Sequence, residues 1–133
     1  MTGITALDQL LRSMQPELLN GEMVFCTVAG QMADYVGLEP VAMIREREGL
    51  TLLVSKAQAE QQGWPVESCF RQISLSVHSS LEAVGLTAAV ASCLAQRGIS
   101  ANVIAAYYHD HIFVPAHQAG QALAALQALS SER

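Results

Sequence analysis

The stretch Gly85–Tyr108, which reads GLTAAVASCLAQRGISANVIAAYY, decides the fold of this chain. Its first part predicts a helix, because apolar residues recur at spacings of three and four. Arg97 and Gly98 are typical of a helix end, where a last-turn cation is followed by a glycine. The apolar run Ser100–Tyr108 then predicts a strand. The residues of the predicted helical stripe are Leu86, Ala89, Val90, Cys93 and Leu94.

The residues on either side of this stretch extend the pattern to strand–helix–strand–strand–helix. Phe70–Val77 (FRQISLSV) alternates between apolar and polar residues, which predicts a strand with one buried face. Ile112–Val114 predicts a further strand, and Pro115 is typical of a residue that opens a helix. The buried side of that last helix is expected to carry Ala119, Ala122, Leu123, Leu126 and Leu129.

The first half of the chain predicts a similar but shorter order. A helix is expected to end before Pro16, and Glu22–Val28 is expected to form a strand. After the loop Ala29–Glu39, a hairpin of Pro40–Glu46 with Leu50–Val54 leads into a short helix. That helix begins near Lys56, is capped by Ser55 and ends at Gly63. The first helix has its apolar face at Leu7, Leu10, Leu11 and Met14.

The two halves form an internal repeat when the first is shifted by sixty residues. Val41–Glu46 then coincides with Ala101–Ala106, and Leu52–Val54 with Ile112–Val114. The second half inserts a helix between Ser80 and Gly98, where the first has only a loop. We therefore predict an abridged unit with an N-terminal helix at residues 1–66 and a full unit at residues 67–133.

The second unit resembles the ACT domain, a small ferredoxin-like regulatory module. The likeness lies in FRQISLSVHSS, in GLTAAVASCLAQRGISANVIAAYY and in HIFVPAHQAGQALAAL. With GEMVFCTV and EPVAMIREREGLTLLV in front, the whole chain resembles small stand-alone bacterial proteins with tandem ACT-like units. The resemblance implies an α+β fold with an antiparallel sheet and helices on one face. It also implies pairing of units side by side and effector binding near the first strand–helix loop.

Composition limits the class of partner. Of 133 residues, 51% are apolar and 14% are charged, which predicts a packed globular protein. Seven Lys and Arg residues against 12 Asp and Glu residues leave no basic stripe for nucleic acid. No apolar run approaches the length of a membrane span, and three widely spaced cysteines predict reduced thiols in the cytoplasm. The nearly neutral second half predicts a homodimer interface.

The loop after the Phe70–Val77 strand contains the predicted ligand site. Unpaired N–H groups at the start of the following helix would suit the carboxylate of an amino acid, and Glu82 with Asn102 would suit its ammonium group. The alternative is that the serines and Glu82 only cap the helix. The predicted ligand-binding residues are Ser79, Ser80, Glu82, Gly85, Leu86 and Asn102.

The segment Tyr107–Val114 (YYHDHIFV) places His109, Asp110 and His111 side by side. By the repeat, His109 and Asp110 fall at or beside a hairpin turn, which is expected to separate the two histidines. A zinc site would need a third ligand from elsewhere, and no nucleophile motif accompanies these residues. One of Tyr107 and Tyr108 is expected to be buried, since neighbouring strand residues point to opposite faces. We predict no catalytic residue, no metal and no cofactor.

The sequence therefore favours a non-catalytic regulatory module that binds a small-molecule effector, an amino acid in the first instance. The first alternative is a structural or protein-interaction module without a ligand. The second is a metal-binding protein that depends on its histidines. We expect a cytoplasmic homodimer, with neither nucleic acid nor membrane as a partner.

Overall fold

The fold is described from a computed structural model in residues 6–76 and 85–131. Contacts between residues divide the chain into two compact units. The central unit is Gly21–Phe70, and the terminal unit joins Met1–Asn20 to Arg71–Arg133. Each unit has its own cluster of buried apolar residues. We treat each unit separately below.

The central unit is a three-stranded antiparallel sheet with one short helix. In chain order it contains β2 (Met23–Val28), 3-10 turns at Met32–Asp34 and Val36–Leu38, β3 (Ala42–Arg45), β4 (Leu50–Ser55) and α2 (Lys56–Gln61). Strand β4 lies between β3 and β2 and is antiparallel to both. The predicted cap of α2 is confirmed, because the Ser55 hydroxyl accepts a hydrogen bond from the Gln58 N–H at 3.2 Å.

The core of the central unit follows the period of two along its strands. Alternate residues of β2 and β4 are buried beneath α2, which contributes Ala59. The two sheet partners and the helix therefore share one apolar layer. Half-buried Tyr35 and Trp64, from the loop and from the segment after α2, also pack against this layer. The buried residues of the layer are Val24, Cys26, Leu50, Leu52, Val54 and Ala59.

Within residues 6–20, 71–76 and 85–131, the terminal unit is an antiparallel sheet with three helices. In chain order it contains α1 (Ala6–Arg12), β1 (Pro16–Leu18), β5 (Phe70–Leu75, whose first residue belongs to the central unit), α3 (Leu86–Ala95), β6 (Asn102–Ala105), β7 (Asp110–Pro115), a 3-10 turn (Ala116–Gln118) and α4 (Ala119–Ser131). Strand β5 pairs with β1 and β7, and β7 pairs with β6. The predicted α+β, ferredoxin-like architecture is confirmed, with β1 as the strand that the sequence analysis missed.

The helices of the terminal unit pack on one face of its sheet. Ile73 and Leu75 of β5, with Ile112 and Val114 of β7, share a buried cluster with side chains of α3 and α4. The N-terminal segment joins the same cluster through Leu11 and Met14, which are 1% and 0% exposed. Helix α1 therefore completes the core of the terminal unit. The division into sequence repeats at residues 1–66 and 67–133 stays a prediction, since packing does not define where a repeat begins.

The sixty-residue repeat is present in the backbone. Strand β3 pairs with β4 from Ala42↔Leu53 to Arg45↔Leu50, and β6 pairs with β7 from Asn102↔Phe113 to Ala105↔Asp110. The closing bonds of the two turns also correspond, because the Glu46 N–H donates to the Gly49 oxygen at 2.8 Å and the Ala106 N–H donates to the His109 oxygen at 3.0 Å. The two hairpins therefore have the same register.

Several predicted boundaries differ from the structure. Strand β6 covers four residues of the predicted Ser100–Tyr108 strand. Helix α3 begins after Gly85. The predicted helix start at Ser80 and the predicted strand end at Val77 both lie outside the described residues. The glycines that close α2 and α3, Gly63 and Gly98, have positive φ values of 75° and 71°, as expected for helix ends.

We expect Leu11→Ala to lower the free energy of unfolding by about 2–5 kcal/mol, because it leaves a cavity in the core that α1 completes. Gln9→Ala, on the exposed side of the same helix, is the matched control and should change it by less than about 0.5 kcal/mol. Urea unfolding of both variants measures the difference. Equal, small effects would show that α1 does not stabilise this core.

Candidate functional site

Gly85 forms the backbone start of α3. Its φ of +102° lies in the left-handed region, which glycine adopts without the strain that a side chain would bring. The first helical bond runs from the Ala89 N–H to the Gly85 oxygen at 2.9 Å. The N–H groups of Leu86, Thr87 and Ala88 precede that bond, so they have no acceptor within the helix. Glycine has no side chain to cap them, and they are therefore available to an acceptor from another segment or from a ligand.

The side chain of Leu86 points into the core of the terminal unit. It is 3% exposed and belongs to the same buried cluster as Val90. Leu7 of α1 lies beside Gly85, because a Cβ added to the glycine would come within 3.5 Å of a Leu7 methyl group. Leu86 can therefore offer a ligand its backbone N–H, whereas its side chain serves the fold.

Asn102 begins β6 with an exposed side chain. Its Nδ2 donates a hydrogen bond to the Phe113 carbonyl oxygen on β7 at 3.2 Å. This bond holds the amide at the edge of the sheet, and its Oδ1 is not used in that bond. Ser79, Ser80 and Glu82 lie outside the described residues. The structure thus locates Gly85, Leu86 and Asn102, and the six residues as a joint ligand site stay a prediction.

The histidines are arranged differently from the sequence expectation. The exposed turn is Tyr107–Tyr108, while Asp110 and His111 already belong to β7. The expected separation of His109 from His111 is wrong, since their ring centroids lie 6.2 Å apart. In the sixty-residue repeat, Asp110 corresponds to Leu50, the first residue of β4. This correspondence was the sequence signal that Asp110 belongs to a strand. Within the described residues, no group of three or more His, Cys, Asp or Glu side chains is placed to hold a metal ion.

The two tyrosines at the turn also correct the sequence analysis. Tyr107 is 76% exposed and Tyr108 is 65% exposed, so neither is buried. Their rings meet edge to face with centroids 4.9 Å apart. A two-residue turn does not keep the alternation of a strand, and the expectation of opposite faces therefore failed.

His111 is held by two polar neighbours from β5. Its Nδ1 lies 2.8 Å from the Ser74 hydroxyl oxygen and 3.1 Å from Gln72 Nε2. If the Ser74 hydroxyl or the Gln72 amide donates to Nδ1, that nitrogen is unprotonated, and the neutral ring carries its proton on Nε2. Burial lowers the pKa of His111, and His109 lowers it further, while Asp110 opposes both. The arrangement favours an uncharged imidazole that stabilises the sheet.

A cleft in the central unit was not foreseen. This β2 cleft has a volume of about 480 Å³ and is lined by Val24, Phe25, Cys26, Thr27, Trp64, Pro65, Glu67, Ser68 and Phe70. Its residues come from β2 and from the segment after α2. The sequence analysis attached no site to Trp64 or Pro65. The available signal was two aromatic residues of the predicted first unit, Phe25 and Trp64, together with Phe70, the first residue of the next predicted strand.

Burial keeps the cleft thiol in its neutral form. It raises the pKa of Cys26, so this thiol is protonated at neutral pH. Cys69 also has a raised pKa, first because of burial and then because of its hydrogen bond with Glu22. Both cysteines, and Cys93 in the terminal unit, are free rather than in disulfides. The Cys26 and Cys69 thiols are therefore poor nucleophiles.

Two protein-family models match this chain. One ACT-domain model matches residues 2–71, and a second ACT-domain model matches residues 67–128. The chain belongs to the ACT-domain family. The resemblance seen in the sequence is thereby confirmed, including the tandem arrangement on a chain of 133 residues.

Solved structures agree with this assignment. A protein of unknown function from Vibrio cholerae, described as a possible transport protein, is 56% identical, with a TM-score of 0.86 over 94% of this chain and 96% of that one. The ligand-free regulatory subunit of aspartate kinase from Thermus thermophilus is 11% identical, with a TM-score of 0.64 over 88% of this chain and 97% of that one. At that identity, the second likeness shows the fold alone. The chain matches no curated protein.

The ACT assignment concerns the fold of both units, whereas their potential sites differ. In the terminal unit, strand β5 is followed by α3 and its glycine start. In the central unit, β2 is followed by two 3-10 turns that contain no buried residue. Among residues 6–76 and 85–131, none of the helices is long and apolar enough to cross a membrane.

We expect the free energy of unfolding to fall as the pH drops below the ordinary histidine pKa of 6.5, because the lowered pKa of His111 lets the unfolded chain bind the proton more readily. The loss should level off once the pH is below the pKa of His111 in the folded state. His111→Asn should reduce this dependence, whereas His117→Asn, at an exposed position, should keep it. Urea unfolding at several pH values measures both. The same pH slope in the His111 variant and the wild type would contradict the assignment.

Proposed function

We propose that this ACT-domain protein is a non-catalytic regulatory module that binds a small metabolite, an amino acid in the first instance, at the start of α3. The observation that carries the proposal is the glycine start of that helix. Gly85, at φ +102°, presents the backbone of the first turn without a capping side chain of its own. The N–H groups there suit a carboxylate, because hydrogen bonding and the helix dipole act in the same direction.

The ammonium group of an amino acid requires a different partner. Asn102 is exposed at the start of β6, and its Nδ2 is already committed to the Phe113 carbonyl. Its Oδ1 is therefore the atom that we expect to accept from the ligand. Glu82, predicted from the sequence, would supply the negative charge. Ser79 and Ser80 would contribute hydroxyl groups to the same loop, and Leu86 its backbone N–H.

The chemistry of the described residues supports a non-catalytic role. Ser74 and His111 form a serine–histidine pair, but Ser74 is only 9% exposed and Gln72 is a second polar partner of the same ring nitrogen. A catalytic serine needs access to its substrate and a base that is oriented by its other nitrogen. The raised pKa values of Cys26 and Cys69 likewise disfavour thiolate chemistry.

A regulatory module acts by favouring one assembly or one partner when its ligand is bound. One structural neighbour is itself the regulatory subunit of an enzyme, aspartate kinase, which supports such a role for tandem ACT units. We propose a homodimer formed through the less charged second half of the chain, with no nucleic acid or membrane partner. The three free cysteines are compatible with a reducing cytoplasm.

A protein-interaction module without a ligand is the second candidate. The exposed aromatic pair Tyr107 and Tyr108 favours it, because exposed tyrosines are common at protein interfaces. The two candidates differ in one measurable property. A ligand-binding module is stabilised by its ligand, whereas an interaction module without a ligand is not.

We expect at least one of the twenty amino acids to raise the midpoint of thermal unfolding, and Gly85→Ala to weaken its binding in calorimetry. An alanine at positive φ costs about 1–2 kcal/mol of stability and disturbs the first-turn N–H groups. Gly98→Ala is the matched control, because Gly98 has φ +71° at the opposite end of α3 and open space around a Cβ. Equal affinity in both variants would move the site away from Gly85, and no stabilisation by any amino acid would favour the interaction module.

We also expect a dimer at micromolar concentration, because low charge favours burial of the second half against a second copy. Sedimentation velocity with and without the amino acid that passes the thermal screen measures the mass. A monomer under both conditions would contradict the proposed dimer.

A further inference from the structure

The β2 cleft lies along the edge of β2 that faces away from β4, beyond the point where the described pairing of β2 with β5 ends. Strand β2 pairs with β4 along its whole length. Towards β5, the described pairing of β2 consists of Met23 with Phe70. Beyond that pair, β2 and the segment Trp64–Phe70 are the two sides of the cleft. We propose that this cleft is a second binding site, for a small organic ammonium ion that carries an apolar or aromatic group.

The aromatic side chains of the cleft suit such a cation. Phe25 and Phe70 pack edge to face, with centroids 5.3 Å apart and an interplanar angle of 87°. Trp64 lines the same cleft. The chain has three Phe and one Trp, so most of these rings are gathered at this one place. Ring faces attract an ammonium group and also pack against the apolar part of a ligand.

The charge of the cleft selects a cation and disfavours a carboxylate. Glu67 is its charged side chain, and the described lining contains no Lys, Arg or His. The central unit has 7 acidic and 3 basic residues, a net charge of −4. A ligand with a carboxylate would find no cationic partner here. The site therefore differs from the amino-acid site proposed at α3.

The backbone of β2 supplies acceptors along one side of the cleft. The Lys56 N–H donates to the Glu22 oxygen at 2.9 Å, which makes residues 22 and 56 a hydrogen-bonded pair across β2 and β4. Because such pairs alternate along an antiparallel ladder, Thr27 lies in a pair whose backbone groups point away from β4. The Thr27 carbonyl oxygen therefore points to the cleft side of the strand. Together with the Thr27 and Ser68 hydroxyl groups, it can accept hydrogen bonds from an ammonium group.

The volume of the cleft fits one small molecule. A volume of about 480 Å³ lies within the range of roughly 300–1,000 Å³ of small-molecule sites. The apolar back wall, which includes Val24 and Cys26, suits a ring or a short hydrocarbon chain. Burial keeps Cys26 neutral, so its thiol belongs to the apolar surface.

Trp64 is the single tryptophan of the chain, so its fluorescence reports directly on the cleft. The test compares 2-phenylethylamine, L-phenylalanine and 3-phenylpropionate, which share the ring and differ in their charged groups. We expect the amine to change Trp64 fluorescence saturably and to bind at least about tenfold more tightly than the acid. No saturable change with the amine, or an equal affinity for the acid, would overturn the proposal.

Matched variants separate a cleft site from non-specific attraction. Glu67→Gln should weaken binding of 2-phenylethylamine by about fivefold, the factor of one exposed ion pair. Glu60→Gln, also at an exposed acid of the central unit but outside the cleft lining, should leave it unchanged. Phe70→Leu should weaken binding while urea unfolding shows that the variant remains folded. Equal affinities in the Glu67 and Glu60 variants would contradict the role of the cleft carboxylate.

The cleft and the α3 site can be tested independently. Gly85→Ala should not alter 2-phenylethylamine binding, because Gly85 belongs to the terminal unit. If Gly85→Ala abolished the fluorescence response, the amine would bind at the α3 site and the cleft proposal would be wrong. A fluorescence response that Glu67→Gln weakens and Gly85→Ala does not would support the cleft site, even if no amino acid bound at α3.

Discussion

The register of two equivalent hairpins is the constraint on which both units depend. Each turn is closed by backbone bonding between corresponding residues, with the Glu46 N–H donating to the Gly49 oxygen in one turn and the Ala106 N–H donating to the His109 oxygen in the other. These bonds set the pairing of β3 with β4 and of β6 with β7. A slip of one strand by one residue would exchange the two faces of that strand and expose its apolar residues. The chain satisfies this constraint twice, sixty residues apart, although few of its side chains are the same.

The register also determines which face of its sheet each strand residue occupies. In β4, Leu52 and Val54 join the helix-side cluster, and the equivalent residues of β7 are Ile112 and Val114. His111 occupies the position of Thr51, on the other face, where it meets Ser74 of β5. The histidine pair is therefore a consequence of the same backbone pattern that builds the core. Its proximity does not by itself indicate a metal site, since a third ligand is missing from the described residues.

Sequence reasoning was most successful where local preference and tertiary packing agree. The helical stripe from Leu86 to Leu94 and the Ser55 cap have local signals, and both appear in the structure. Strand β1 has no such signal, because Pro16–Leu18 becomes a strand through pairing with β5 more than fifty residues later. The position of α1 in the terminal core is likewise a long-range property. The β2 cleft could not be read from spacing, since its rings come from three separate places in the sequence.

The abridged unit shows what replaces a missing helix. In the terminal unit, α3 contributes four buried side chains to the core. In the central unit, the loop at the corresponding place folds tightly, with the Tyr35 hydroxyl donating to the Ala29 oxygen and Arg45 Nη2 donating to the Gly30 oxygen at 2.8 Å. Its 3-10 turns bury no residue, so the apolar layer is completed by half-buried Tyr35 and Trp64, whose rings lie 6.1 Å apart. Two separate rings, one from the loop and one from the segment after α2, take the place of the continuous stripe of side chains that a helix presents. Trp64 also lines the β2 cleft, so one side chain both covers the apolar layer of the central unit and forms part of the wall of the proposed site.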